Sequence, residues 1–438
     1  MRDFAVSDSR AVQAQLDRLA ALSLPQGRIG LDAIRQLLAR LGDPQLSIPP
    51  VFHVAGTNGK GSTCAYLRAI LEAQGYRVHA ITSPHLVRYN ERIRVAGELV
   101  GDEELAALLS EVLDAAGGLQ VSFFEVTIAA SFLAFARHPA DVCVIEVGLG
   151  GRFDATNVVP TPLVCGIATL GIDHERFLLA PEDGTPAEPL ARIAFEKAGI
   201  RRPHVPLVTM AYPAHVEAVL HALAQAEEVP LWMRGEAWKA QVTGDAIWFE
   251  DHDGSLTLPL PHMPGAHQAE NAALAVAMLR RQSVLRIDPQ AYAQGIRDAQ
   301  WPARMQLLGD GPLTRLVPGT AVWLDGGHNR DAGLALEAFL RAREIAPHLI
   351  LGMIEGKDPG ALLEPLHRQV ESVTLVPVPG HACLPPEAFA GWPVDTTTAP
   401  DVATALRALE QRKARAVLIA GSLYLAGAVL RDNGELPD

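Results

Sequence analysis

The chain has no surplus of basic residues, no paired cysteines and no long apolar run, and each absence excludes a class of protein. A formal net charge of -13 argues against general nucleic-acid binding, because a polyanion needs a basic face. The four cysteines lack paired spacing, which is typical of a reducing compartment. No apolar run approaches the ~18 residues of a membrane-spanning helix, and residues 1–10 lack a signal-type apolar segment. We therefore predict a cytoplasmic protein with no nucleic-acid or membrane partner.

The pattern of apolar residues predicts an α/β protein. Its 438 residues suffice for two or three domains, and strand-like apolar runs alternate with helical patterns along most of the chain. Residues 231–260 differ, because their short alternating runs predict antiparallel hairpins. We predict two doubly wound domains: a larger N-terminal domain over residues 1–298 and a smaller C-terminal Rossmann-like domain over residues 299–438.

A glycine-rich loop lies between an apolar run and a helical pattern. Such a loop can wrap a phosphate chain with backbone N–H groups at a helix N-terminus, while a lysine meets the outer phosphates. The pattern departs from GxxxxGK(S/T), because Gly61 separates Lys60 from Ser62. A glycine-rich loop alone can also bind nothing, so the interpretation depends on the rest of the chain. The predicted phosphate-binding residues are Gly56, Thr57, Asn58, Gly59, Lys60, Gly61 and Ser62.

Three polar residues end strand segments on the same predicted sheet edge as this loop: Ser83, Glu146 and His174. Glu146 interrupts an apolar run, where a carboxylate needs a cation, a hydrogen-bond partner or water. A partnered structural carboxylate and a core or capping histidine are the plainer alternatives. A hydroxyl and a carboxylate together suit Mg²⁺, which prefers oxygen ligands and shares phosphate oxygens, whereas zinc favours more nitrogen or sulfur donors. The cluster predicts Mg²⁺ shared with a nucleotide.

Further candidate residues lie later in the chain. Lys197 is near the end of a helical pattern beside a glutamate, and spacing alone fits a solvated surface pair equally well. Asp325 and His328 follow another predicted strand, where the carboxylate can accept hydrogen bonds from a ribose and the imidazole can touch phosphate or metal. Asn329 is equally suited to cap the next helix. Arg304, just past the predicted boundary, is a candidate to reach the phosphates.

Taken together, these segments resemble the Mur ligase superfamily, and specifically its folylpolyglutamate synthase/dihydrofolate synthase family. Each matching stretch is weak evidence alone, but they occur in the family's order, and Gly61 is itself what the family has. The stretches are Gly56–Ser62, Thr82–Leu86, Tyr89–Ile93, Glu146–Asn157, Ile172–His174, Glu196–Ile200, Gly265–Gln268, Trp301–Arg304, Leu324–Asn329 and Gly421–Gly427.

The resemblance implies a role for each matching position. It implies that the glycine-rich loop holds ATP, so that the N-terminal domain is a P-loop ATP-binding domain. Lys60, His174 and Lys197 would be the catalytic residues, and Lys197 would be carbamylated so that it binds metal. The further nucleotide-binding residues would be Asn271, Arg304, Asp325 and His328. The Mg²⁺ ligands would be Ser83, Glu146, His174 and Lys197. The residues that face the pterin substrate would be Ser83, Pro84, His85, Arg92 and Asp154.

Two features depart from the family's pattern. Gly327 stands where the family usually has alanine. The stretch from His174 to Lys197 is longer than usual because of residues 181–189, which puts the local path of that loop in doubt but leaves the flanking motifs in place.

The resemblance implies an ATP-dependent ligase of folate biosynthesis and one-carbon metabolism. ATP would convert a folate-side carboxylate into an acyl phosphate, which the amine of L-glutamate attacks to form an amide. We predict a bifunctional enzyme acting on dihydropteroate and on reduced folates, with a folylpolyglutamate synthase alone as the alternative, and we predict a monomer. A cell-wall peptide ligase would need a uridine-nucleotide domain before Gly56, where the chain is short. A regulator that binds ATP without ligating is the alternative of another class, against which the cluster of Ser83, Glu146, His174 and Lys197 argues.

Overall fold

The computed structural model describes residues 6–22 and 30–437, and these form two compact units. Unit 1 consists of three segments: the residues up to Pro84, Arg88–His262 and Ala269–Gln300. Unit 2 begins at Trp301 and also includes two short segments, His85–Val87 and Met263–Gln268. Each unit is built on its own β-sheet.

Unit 1 contains an eight-stranded sheet of order β4-β3-β2-β5-β1-β6-β7-β8. Six of its strands, β2, β5, β1, β6, β7 and β8, run parallel. The remaining two, β3 and β4, form an antiparallel edge beside β2. The strands are β1 Val51–Ala55, β2 Val78–Ile81, β3 Ile93–Val95, β4 Glu98–Leu99, β5 Val142–Glu146, β6 Val164–Ile167, β7 Leu207–Thr209 and β8 Leu231–Met233.

The central strands of this sheet are buried along their whole length. Every residue of β1 and of β5 is buried, as expected for parallel strands that helices cover on both faces. One apolar cluster packs residues of β2 and β5 against helices near the N-terminus, and another packs β6 and β7 against later helices. The helices that begin before residue 300 are α1 Arg10–Ala20, α2 Asp32–Arg40, α3 Lys60–Ala73, α4 Asp102–Ala115, α5 Phe123–Arg137, α6 Glu175–Leu178, α7 Pro189–Ala198, α8 Ala214–Ala226, α9 Ala266–Arg280 and α10 Pro289–Asp298.

The region predicted to form hairpins is divided between two sheets. β9 Trp238–Thr243, β10 Ala246–Asp251 and β11 Gly254–Pro259 form a three-stranded antiparallel sheet. The segment before them does not join it, because β8 pairs in parallel with β7 and extends the main sheet. The hairpin prediction is therefore right for residues 238–259 and wrong for residues 231–233.

Unit 2 contains a six-stranded sheet of order β12-β13-β17-β14-β15-β16, parallel except for the edge strand β12. Apolar clusters lie on it and pack against the helices. The strands are β12 Gln306–Leu307, β13 Ala321–Leu324, β14 His348–Leu351, β15 Ser372–Leu375, β16 Thr396–Thr398 and β17 Ala416–Ala420. The helices are α11 Arg330–Ala342, α12 Gly360–Leu366, α13 Val402–Gln411 and α14 Leu423–Asn433.

The predicted fold class is confirmed, since both units combine a mostly parallel sheet with helices. In the part of the chain that the structure describes, no helix has the length and apolar character needed to cross a membrane.

The packing of α10 on α3 yields a test of the fold. A β-carbon on Gly295 would lie 2.4 Å from Cα and 2.5 Å from N of Ile70, in the backbone of α3. We expect Gly295→Ala to lower the free energy of unfolding by about 1–3 kcal/mol, the usual cost of overpacking, as measured by urea denaturation. Gly30→Ala is the control, because a β-carbon there meets nothing within 4 Å. Equal unfolding midpoints for the two variants would contradict this packing.

Candidate active site

The glycine-rich loop leaves the carboxyl end of β1, the strand with β5 on one side and β6 on the other. Val54 pairs with Glu146 on β5 and with Gly166 on β6, so the loop begins beside Glu146 in the middle of the sheet. Gly56 has a φ of +152°, and a β-carbon there would lie 2.9 Å from Cβ of Ala168. Glycine is therefore required where the loop turns against the end of β6.

The loop uses part of its backbone to hold its own shape. The N–H groups of Thr57 and Asn58 donate to the carbonyl oxygen of Thr169, at 2.8 and 3.2 Å. The hydroxyl of Thr57 donates to the carbonyl oxygen of Gly171 at 2.9 Å and accepts from the Gly171 N–H at 3.1 Å. The N–H groups of Thr57 and Asn58 are therefore already used within the protein, and the predicted contact of these two residues with phosphate stays a prediction.

The first turn of α3 supplies the anion-binding end of the loop. Gly59, with a φ of 84°, is the N-cap of the helix, and Thr63 N–H donates to its carbonyl in the first intrahelical bond. The N–H groups of the cap and first turn have no acceptor inside the helix, and the helix dipole is positive there. This turn contains Lys60, Gly61 and Ser62, so Gly61 extends the turn without displacing Ser62 from it.

Lys60 and Ser83 both contact the carboxylate of Glu146. Lys60 Nζ lies 4.0 Å from Glu146 Oε1 and donates to the carbonyl oxygen of Thr57 at 3.3 Å. The backbone N–H of Ser83 donates to Glu146 Oε2 at 3.1 Å. Glu146 is the last residue of β5 and is 4% exposed. The structure thus brings together Lys60, Ser83 and Glu146, as the sequence predicts.

Lys197 is a buried lysine, which excludes the alternative of a solvated surface pair. It is 4% exposed, and its Nζ donates to the carbonyl oxygen of Gly56 at 2.8 Å. Burial lowers the pKa of this amine to about 7, with a further lowering by the nearby charge of Lys60 and opposing effects of Asp173 and Asp154. The amine therefore lies beside the phosphate loop and near a second lysine.

Asn271 also reaches the loop from α9. A β-carbon on Gly59 would lie 2.4 Å from Oδ1 of Asn271, so the amide group packs directly against the N-cap of α3. The predicted nucleotide-binding role of Asn271 is supported by this position and stays a prediction.

Asp154 and Arg92 were expected to face a substrate, but both side chains are buried. Asp154 Oδ1 accepts from the N–H and hydroxyl of Thr156, at 3.0 and 2.5 Å, and Oδ2 accepts from Leu149 N–H at 2.7 Å. Its carboxylate thus closes the loop that follows β5. Arg92 is 1% exposed, and its guanidinium carbon lies 5.5 Å from the ring centres of Tyr89 and Phe123. The predicted contact of Asp154 and Arg92 with substrate stays a prediction.

His174 follows β6 by several residues, so it is not the strand-end residue that the sequence suggested. It has a φ of 53°, is the N-cap of α6, and its backbone N–H donates to Asp173 Oδ1 at 2.7 Å. The prediction overlooked Asp173, whose charge acts on Lys197. The only signal for it is its place in the motif Ile172–His174.

In unit 2, the carboxylate of Asp325 stabilises the turn that contains Arg304. Asp325 Oδ2 accepts from Met305 N–H at 2.8 Å, and Oδ1 accepts from Gly327 N–H at 2.7 Å. Ala303 and Met305 have positive φ values of 55° and 45°, so Arg304 lies between two residues in a conformation that costs about 1–3 kcal/mol each. Backbone strain of this kind persists only where neighbouring contacts enforce it.

The other predicted residues of unit 2 have mixed outcomes. His328 Nδ1 is 3.2 Å from the carbonyl oxygen of Gly326, and Asn329 caps α11 by accepting from Ala332 N–H at 3.0 Å. Gly327 suits this chain, because a β-carbon there would lie 2.7 Å from Cβ of Ala332. The prediction also overlooked His267. Burial lowers the pKa of its imidazole, Asp325 opposes this shift and Arg304 adds to it.

Two predicted substrate residues lie at the division between the units. Pro84 is the last residue of this segment of unit 1, and His85 is the first residue of the short segment that groups with unit 2. His85 is 6% exposed. Their predicted contact with substrate stays a prediction.

Comparisons with known proteins show relatives over most of the chain. A dihydrofolate synthase/folylpolyglutamate synthase of Bacillus subtilis is 35% identical over 329 residues, which cover 72% of this chain and 72% of the relative. The Escherichia coli protein of the same name is 35% identical over 358 residues, covering 80% and 78%. A folylpolyglutamate synthase of Lacticaseibacillus casei is 33% identical over 415 residues, covering 90% and 92%. A comparison with models of protein families gives no match.

The chain belongs to the dihydrofolate synthase/folylpolyglutamate synthase family. The resemblance read from the motifs is thereby confirmed, as is the predicted enzyme class, an ATP-dependent ligase that adds glutamate.

Solved structures of this family have the same fold. Escherichia coli FolC in complex with DHPP and ADP is 31% identical, with a TM-score of 0.84, and the match covers 96% of this chain and 97% of that one. The bifunctional folylpolyglutamate synthase/dihydrofolate synthase of Yersinia pestis, complexed with AMPPNP and Mn ion, is 30% identical, with a TM-score of 0.83 and coverage of 97% and 99%.

The lowered pKa of Lys197 predicts that this family member gains stability as the pH rises. The folded amine is neutral above a pH of about 7, while an unfolded lysine stays protonated to about 10.4. In this window the unfolded state binds more protons, so the free energy of unfolding increases with pH.

We expect the chain to gain stability relative to Lys197→Met with a slope that approaches about 1.4 kcal/mol per pH unit. Urea unfolding in CO₂-free buffer across this window measures the difference between the two proteins. A difference that is constant with pH would show that the amine titrates normally.

Proposed function

We propose that this chain is a bifunctional dihydrofolate synthase/folylpolyglutamate synthase, which joins L-glutamate to dihydropteroate and to the glutamate tail of reduced folates. Support comes from the relatives of Bacillus subtilis and Escherichia coli, which carry both activities in their names. The observation that carries the proposal is the convergence of Lys60, Glu146 and Lys197 on the glycine-rich loop. A buried carboxylate beside a phosphate loop suits a cation shared with a nucleotide, and the buried second lysine is the feature that simple ATP binding does not explain.

The first turn of α3 and Lys60 are the proposed phosphate-binding groups. The N–H groups of this turn and the Lys60 ammonium provide positive charge at one end of a helix. Asn271, against Gly59, would add an amide contact to the nucleotide. In unit 2, Arg304 and Asp325 would contribute to nucleotide binding, with Asp325 acting partly by holding the Arg304 turn.

The residues around Glu146 fit a divalent cation. Lys60 and Lys197 donate to the neighbouring carbonyl oxygens of Thr57 and Gly56, so their two ammonium groups would repel each other if both were charged. Reaction of the neutral Lys197 amine with CO₂ would form an N–C bond and release a proton, leaving a carbamate anion. A carbamate beside the Glu146 carboxylate then offers oxygen ligands of the kind that Mg²⁺ prefers.

Glu146, Ser83, His174 and carbamylated Lys197 are therefore the proposed metal-binding residues. When bound, Mg²⁺ would neutralise charge on the phosphates of ATP during transfer. Lys60 would stabilise negative charge that develops on the transferred phosphoryl group, and the surrounding apolar strands strengthen that effect by excluding water.

The chemistry needs such activation because a carboxylate is a poor electrophile. ATP transfers its γ-phosphoryl group to a carboxylate oxygen of the folate substrate and leaves as ADP. The amine of L-glutamate then attacks the acyl carbon of the resulting acyl phosphate, loses a proton and expels phosphate. One amide bond forms for each ATP consumed.

A ligase assay with two acceptors tests the proposal. Purified protein with ATP, Mg²⁺ and L-glutamate is expected to release ADP with dihydropteroate and, separately, with tetrahydrofolate, and mass spectrometry is expected to show the glutamylated products. Lys60→Ala is expected to reduce turnover by at least about 100-fold, because one preorganised charge on a transferring group is worth about this much.

The two acceptors separate the alternatives. Turnover with tetrahydrofolate alone would show a folylpolyglutamate synthase without the first activity. ATP binding with no product from either acceptor would refute the ligase and favour a regulator.

A further inference from the structure

Four charged side chains form an ion network beside Lys197. Arg152 and Arg192 both contact Glu196, at 2.8 and 2.9 Å, and both contact Glu182, at 2.5 and 3.0 Å. Arg192 and Glu196 are each 7% exposed at their side chains, so these charges are mostly shielded from water. Two positive and two negative groups balance, which is the condition under which buried charges are tolerated.

The network joins the two parts of the chain that carry proposed metal ligands. Arg152 belongs to the loop that follows Glu146, and Glu196 directly precedes Lys197. The backbone N–H of Arg152 also donates to the carbonyl oxygen of Glu196 at 2.8 Å.

Two glycines make this approach possible. A β-carbon on Gly151 would lie 2.7 Å from the carbonyl oxygen of Lys197, and one on Gly199 would lie 2.4 Å from Cα of Arg152. The loop and the end of α7 are therefore in direct backbone contact, so any displacement of one moves the other.

Glu182 is the member of the network that lies in the segment 181–189, which the sequence predicts to be an insertion. Its carbonyl oxygen accepts from the Thr185 hydroxyl at 2.6 Å, which closes a turn within that segment. Without the Glu182 carboxylate, two guanidinium groups would share the single carboxylate of Glu196, and the network would carry an uncompensated positive charge. Arg192 also donates to the carbonyl oxygen of Leu178 at 3.2 Å, which ties α7 to the end of α6.

We infer that Glu182 is a positioning residue for the metal site, and that the segment 181–189 acts as a clamp on the end of α7. By neutralising Arg152 and Arg192 together, Glu182 holds the loop after Glu146 against the helix end that carries Lys197. The separation of the two ligand-bearing residues is thereby fixed before metal binds. The inference rests on the proposed metal-binding roles of Glu146 and Lys197, and it assigns a function to the segment that the sequence predicts to be an insertion.

The test compares Glu182→Gln with the wild-type chain. Glutamine keeps the size of the side chain and removes its charge. We expect faster amide hydrogen exchange in residues 193–199 without ligands, because the network is weakened. We also expect the affinity for Mn²⁺ in the presence of AMPPNP to fall about 10-fold, as is common when a residue that orients a metal ligand is changed.

Two further variants control for nonspecific effects. Asp183→Asn makes the same chemical change at the neighbouring position, whose side chain is exposed, and is expected to behave as wild type in both measurements. Glu182→Asp keeps the charge on a shorter side chain and is expected to recover part of the lost Mn²⁺ affinity.

The possible results separate this inference from the carbamate itself. Labelling wild-type protein with ¹³C-bicarbonate and recording a ¹³C spectrum shows whether a carbamate forms; its absence would refute carbamylation and leave the clamp to be judged by exchange and Mn²⁺ affinity. Faster exchange with weaker Mn²⁺ binding in Glu182→Gln supports the clamp. Unchanged Mn²⁺ affinity would overturn the positioning role, whether or not exchange changes.

Discussion

The hydrogen bond from Lys197 Nζ to the carbonyl oxygen of Gly56, 2.8 Å long, joins the end of α7 to the start of the glycine-rich loop. It is buried, so breaking it would leave an unsatisfied polar group away from water, which costs about 1–3 kcal/mol. The end of α7 also packs against the loop that follows β5, where Gly151 and Gly199 leave room for the close backbone approach. Glu146 lies on β5, next to β1, so the pairing of these two strands places its carboxylate beside the start of the glycine-rich loop.

The acidic character of the chain is compatible with binding an anionic nucleotide, because the relevant charges are local. Lys60 and the amino end of α3 gather positive potential at the carboxyl end of the central strands, where α/β proteins bind ligands. Most acidic residues elsewhere are at least partly exposed, and their charges are screened over about 10 Å. A carbamate on Lys197 would place a negative charge beside the loop, which is reasonable only with a cation beside Glu146. The metal and the carbamate on Lys197 therefore depend on each other electrostatically.

Much of the fold and part of the site could be predicted from the sequence. Apolar runs and helical periodicity predicted the parallel sheets, and the order strand, loop, helix located Lys60 beside a carboxylate, because strand ends meet at one sheet edge. The sequence could not show that Thr57 and Asn58 use their N–H groups within the protein, since this depends on a carbonyl over a hundred residues later. The sequence also could not show that the side chain of Asp154 is buried, because its partners Leu149 and Thr156 are brought to it by the fold of the loop.

The most direct test of the central claim is electron–nuclear double resonance of Mn²⁺ bound with AMPPNP to protein prepared in ¹³C-bicarbonate. If Lys197 carries a carbamate that binds the metal, wild-type protein will show a ¹³C coupling to Mn²⁺, and the coupling will disappear in Lys197→Ala. Bound Mn²⁺ with no ¹³C coupling in wild-type protein would contradict the account.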